Sequence, residues 1–194
     1  NLELGDAATV PGELDFVVTG FNHFPYETTV MVLSPDGAYV LVNSTFVSAG
    51  FDDMIEYGES VGLTLNLENV GSDAASDVTV NISTEDPYIS VTSSSGSADY
   101  IDPNGTAVVS GLAFDVAGNV PNNHNFELSC NIGSGSETWE STLNFTAYAP
   151  VLDVTSVVGD LDPGATTDMS VTVINSGGTQ ITYPVVSVRG DSYV

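Results

Sequence analysis

Apolar and polar positions alternate along most of this chain, and helical periodicity is hard to find. In the run from Val61 to Glu68, apolar residues take every second place. Val78, Val80 and Ile82 fall on one face of a second run, with Thr79 and Asn81 on the other. Phe126, Leu128, Cys130 and Ile132 share a face, as do Trp139, Leu143 and Phe145. A strand turns successive side chains to opposite sides, so each run predicts a half-buried strand, apolar inward and polar outward. Between Tyr39 and Ala147 the pattern predicts seven strands, near 39–47, 61–69, 76–83, 88–93, 106–116, 124–132 and 137–147. Turn clusters of Gly, Pro, Asn, Asp and Ser separate them. Seven short strands at this spacing suit a two-sheet sandwich.

The chain also repeats itself. Gly58 through Gly71 aligns with Gly164 through Gly177 at an offset of 106 residues. Leu65 then meets Val171, Asn69 meets Asn175, and Val80 meets Val186. A period of this length corresponds to one sandwich per repeat. The shared Asn-x-Gly ends a strand: the Asn side chain can hydrogen-bond nearby backbone, and the Gly can take a positive φ. Residues 1–37 hold three strands at most, including Leu14–Gly20 and Thr28–Leu33. The second copy stops just after the equivalent of the third strand. Neither end can bury a core alone, so each is expected to be completed from outside this sequence or by neighbouring chains. A start at Asn1 rather than Met reads the same way, as a processed chain or a fragment.

Charge narrows the class of partner. There are 26 acidic residues against one base, Arg189, for a formal net charge of −25. Polyanions would be repelled, which excludes nucleic acid and disfavours an anionic membrane surface. No apolar run approaches the roughly 20 residues of a membrane helix, so no membrane insertion is expected. Such a surface suits solubility outside the cell, or life in salt. The single cysteine, Cys130, excludes an internal disulfide.

The segment Glu59 to Val80, with its Asn-x-Gly turn, small-residue stretch and Val-rich strand, resembles the CARDB-like adhesion modules of bacterial surface proteins. Phe16 to Leu33 is similar to the immunoglobulin-like module that follows the catalytic domain of gingipain-like cysteine peptidases. The resemblance implies a secreted or cell-surface, non-catalytic location beyond such a peptidase domain, whose own residues are not in this chain. The expected fold is therefore all-β: tandem immunoglobulin-like sandwich modules, with a partial one at 1–38, a complete seven-stranded one at 39–148, and a partial one at 149–194.

Candidate chemistry is sparse. Cys130 and His124 lie six residues apart on one predicted strand, roughly 20 Å at about 3.3 Å per residue, too far for a nucleophile and its base. His23, in a strand-to-turn segment, reads as a packing or surface residue. Asp52, Asp53, Glu56 and Glu59 crowd one loop, and Asp160, Asp162 and Asp168 another. Hard oxygen ligands in loops between sandwiches suit calcium, so the first cluster is the candidate metal site. Arg189-Gly190-Asp191 forms a cell-attachment tripeptide, and Asn43, Asn81, Asn104 and Asn144 stand in N-glycosylation sequons. No other cofactor is implied. The function expected is a spacer or adhesion segment of a larger surface protein. The alternative is a module that binds carbohydrate or protein, with Tyr57, Tyr88, Tyr100, Tyr148 and Tyr183 as stacking candidates. Partners would be other domains of the same polypeptide, neighbouring chains, or a surface glycan or protein.

Overall fold

A computed structural model of the chain describes residues 12–21, 24–32, 36–159, 166, 168–181, 184–187 and 189. Among these there are twelve strands and no helix. Two hairpins flank a central body. The leading hairpin pairs β1 (Gly12–Val18) with β2 (Tyr26–Val32). The trailing one pairs β11 (Leu152–Val158) with β12 (Ser170–Asn175).

The central body runs through β3 (Val40–Ser48), β4 (Ser60–Asn69), β5 (Ala75–Ser83), β6 (Ile89–Ser93), β7 (Ser95–Ile101), β8 (Thr106–Val116), β9 (His124–Ser134) and β10 (Glu137–Ala147). It forms two four-stranded sheets, in the orders β3-β4-β8-β6 and β10-β9-β5-β7. The first follows the A-B-E-D order of an immunoglobulin sandwich, and β10-β9-β5 follows G-F-C. The fold is an immunoglobulin-like β-sandwich.

The eighth strand corrects the expectation of seven. The chain crosses between sheets at Ser94, so that β6 pairs with β8 and β7 with β5. Ser94 fixes the crossing with its carbonyl, which accepts the Ile82 N–H at 2.8 Å. The inward positions of β7 before its last residue, Ile101, are Gly96 and Ala98, too small to mark a strand by hydrophobic alternation.

The alternating runs do what their pattern predicts. Val61, Leu63, Leu65 and Leu67 of β4 are buried, as are Val78, Val80 and Ile82 of β5 and Phe126, Leu128, Cys130 and Ile132 of β9. They meet in one core shared by both sheets. Phe114, Phe126 and Phe145 stack within it, their ring centroids 5.6 to 6.1 Å apart. Apolar burial of this kind contributes roughly 25 cal/mol per Å² and dominates the stability of such a body.

The flanking hairpins bury far less. Leu152, Val154, Val157, Val158 and Ile174 are all at least 43% exposed, so their apolar area remains in contact with water. The expected third strand of the trailing segment is not formed among the described residues: Val185 and Val186 are exposed and outside any strand, and Val188 lies outside the described residues.

Candidate functional site at the joint between sandwich and trailing hairpin

Asn69, fully buried, closes β4. Its Oδ1 accepts the N–H groups of Tyr39 (3.0 Å) and Gly71 (3.1 Å). Its Nδ2 donates to the carbonyls of Asp73 (2.8 Å) and Ile101 (3.1 Å). Asn175 closes β12 in the same way. Its Oδ1 accepts from Val151 (3.0 Å) and Gly177 (3.0 Å), and its Nδ2 donates to the Thr179 carbonyl (2.7 Å).

The two strand pairs share their register as well. Val40 faces Asn69 as Leu152 faces Asn175, and both pairs bulge at the fourth residue, Asn43 and Thr155. The offset is 106 residues for the second strand and 112 for the first: the connecting loops are equally long, and the two strands together are six residues shorter in the trailing copy. The glycine of the motif serves by its size rather than by its φ. Neither Gly71 nor Gly177 has a positive φ. Each is required by close approach: a Cβ on Gly71 would collide with the Gly37 carbonyl and the Tyr39 nitrogen, and one on Gly177 with the Ala149 carbonyl and the Val151 nitrogen.

Only four residues, Tyr148 to Val151, separate β10 from β11. They are tied from several sides. The Tyr148 N–H donates to the Ile55 carbonyl and the Tyr148 carbonyl accepts the Tyr57 N–H, both at 2.9 Å. Asn122, on the turn before β9, accepts the N–H groups of Ala149 (3.2 Å) and Gly178 (3.0 Å) through Oδ1. Gly178 also donates to the Ala149 carbonyl at 3.2 Å. The Thr179 hydroxyl, itself buried, donates to the Glu56 carboxylate. One side chain of the sandwich therefore holds both the linker and the turn that follows β12, and a second reaches that turn from another loop.

This geometry places the four carboxylates expected to bind calcium. Glu59 Oε2 accepts the Glu56 N–H at 3.1 Å, and Glu56 reaches Thr179. Asp52 Oδ1 accepts the Met54 N–H at 3.1 Å, while Asp53, at φ 59°, points into solvent. Among the described residues no three His, Cys, Asp or Glu side chains gather in a way that could hold a metal ion. Of the four, Glu59 shapes the loop and Glu56 meets the turn after β12. Asp160 and Asp162 lie outside the described residues.

The remaining candidates separate. Cys130 is buried on the apolar face of β9, and burial pushes its thiol up to about 11. His124 sits at the other end of that strand, its Nε2 2.8 Å from Asp86 and its ring 5.0 Å from that of Tyr88. Tyr57, Tyr88 and Tyr148 are half-buried at separate places and Tyr100 is exposed, so they form no shared platform; Tyr183 lies outside the described residues. The four sequon asparagines are all exposed. His23 lies outside the described residues, and so do Gly190 and Asp191 of the tripeptide. Asn122 carried no signal in the sequence, being one asparagine among several in a turn.

Among the described residues no helix is long and apolar enough to cross a membrane. No family model matches the chain, and no curated protein matches it. Among solved structures the chain is similar to native alpha-2-macroglobulin from Escherichia coli, spanning the residues from domain MG7 to the C-terminus. The identity is 13% and the TM-score 0.42, over 63% of this chain and 18% of that one.

Proposed function

We propose that this chain is a non-catalytic stretch of immunoglobulin-like modules joined in series, acting as a spacer or adhesion segment of a larger secreted or cell-surface protein. One observation carries the reading: Asn69 and Asn175 organise two strand pairs of the same register, bulge and turn. The trailing pair is then the opening of a second module, and the leading hairpin the close of a preceding one. The tied linker supports a mechanical role, since a short joint fixed by Asn122 and Glu56 resists bending. The separation of Cys130 from His124 supports a role without nucleophilic catalysis. On the resemblance to gingipain-like proteins, the segment would hold a peptidase domain away from the envelope.

Backbone NMR relaxation on the full chain tests the joint. The trailing hairpin and the sandwich are expected to share one rotational correlation time. Asn122→Ala with Glu56→Ala should let the hairpin tumble faster while the sandwich spectrum stays native. Independent tumbling in the unaltered chain would rule out a stiff spacer.

A further inference from the structure

The sandwich has four edges, and they differ. β3 is bulged at Asn43, and β6 is five residues long with a register shift before Ser93. β7 is shorter, at seven residues, and Asp77 of its partner β5 has φ 50°. β10 is different: eleven residues, paired with β9 throughout without a register shift. No strand pairs with its outer side among the described residues, and the loop at Ile55–Tyr57 closes that side only beyond Ala147, at Tyr148. Bulges and short strands protect the edges of sandwiches from pairing, and β10 has neither.

The surroundings of that edge select what can pair with it. Where β10 runs beside β3, a groove of about 560 Å³ opens, lined by Val47, Met54, Phe145 and Tyr148 together with Asp53 and Glu127. A strand added to β10 would pass this groove at Asn144–Thr146 and could place one apolar side chain in it there. Its other side chains would lie beside Thr138, Glu140, Thr142 and Asn144 on the outer face. Glu127, opposite Asn144, and Glu140 are exposed, and neither belongs to an ion pair.

We infer that β10 is a docking edge for an extended segment of another protein, apolar at alternate positions and rich in Lys or Arg at the rest. Main-chain hydrogen bonds to β10 would supply affinity, the groove an apolar anchor, and the carboxylates the choice of a basic partner. A second copy of this chain is the wrong occupant, because it brings a net charge of −25 and a single base. This inference is independent of the tandem-module reading, since it uses the central sandwich alone.

The test uses the full chain and a capped synthetic peptide of alternating valine and lysine. A control peptide of the same charge carries proline in place of its central valine, which removes a main-chain donor and breaks the strand. The alternating peptide should slow hydrogen exchange at amides of Glu137–Ala147 and shift the signals of Val47 and Phe145. The proline peptide should bind roughly tenfold more weakly or worse. Glu140→Lys, with its native spectrum retained, should weaken the alternating peptide several-fold. Equal affinity for the two peptides, protection on β3, β6 or β7 instead, or no binding at all would overturn the inference.

Discussion

Asn69 and Asn175 stand at the same register position in their strand pairs, and their side chains make the same three backbone hydrogen bonds. The difference lies in what surrounds them. Asn69 is fully buried and has a fourth bond, to the Ile101 carbonyl of β7, whereas Asn175 is exposed and lacks it. Removing the amide of Asn69 leaves two donors and two acceptors without partners in the interior. Asn69→Ala should cost about 3 kcal/mol in chemical denaturation, since each buried polar group left unpaired costs about 1–3 kcal/mol. Asn175→Ala should cost the sandwich less than about 0.5 kcal/mol, because water can replace its bonds.

Gly71 and Gly111 give opposite reasons for glycine. Gly71 lies against the backbone of Gly37 and Tyr39, while Gly111, at φ +85°, faces open space. Gly111→Ala pays only for the left-handed backbone, about 1 kcal/mol. Gly71→Ala must move main chain, and should cost at least about 2 kcal/mol and shift the Tyr39 amide signal. Urea denaturation of the two variants ranks them.

The sequence made the large alternating strands legible, because Val, Leu, Ile and Phe at every second place leave few other ways to bury them. It hid β7, whose inward positions before the closing Ile101 are Gly96 and Ala98. The Asn-x-Gly turn could be read as a local motif, but its bond to Tyr39, thirty residues earlier, could not. At the joint, Glu56 drew notice as a metal ligand because acids crowd its loop, yet it reaches the Thr179 hydroxyl. Asn122 works through chain crossings that no spacing along the sequence records.

Cys130 should behave as part of the core. Burial raises its thiol from 9.0 to about 11, so at neutral pH native protein should label slowly with thiol reagents and unfolded protein quickly. The folded state favours the neutral thiol. The contribution of this group is therefore complete below pH 9 and falls away as pH rises towards 11, by roughly 2–3 kcal/mol in all. Because tyrosines ionise in the same window, the reading is the difference between the native chain and Cys130→Ala, which should lose less stability over that range.

Salt should stabilise the protein. With 26 acids and one base, most carboxylates have no cationic neighbour; among the described residues the one contact between a carboxylate and a basic side chain is the hydrogen bond of Asp86 with His124. Self-repulsion is screened over about 10 Å at 0.1 M and about 3 Å at 1 M salt. The melting temperature should rise between low and moderate NaCl. A flat or falling trend would mean that the charges are already neutralised or too dispersed to repel.

Native-state hydrogen exchange, followed along the whole chain, tests most directly whether it is built of modules in series. If it is, residues 40–147 should exchange as one cooperative unit at the global unfolding free energy, because they share one closed core. Residues 152–158 and 170–175 should exchange orders of magnitude faster, as a separate unit, because their apolar faces stay exposed. Protection of the trailing strands equal to that of the sandwich, lost with it in a single transition, would contradict the account and make the two parts one domain.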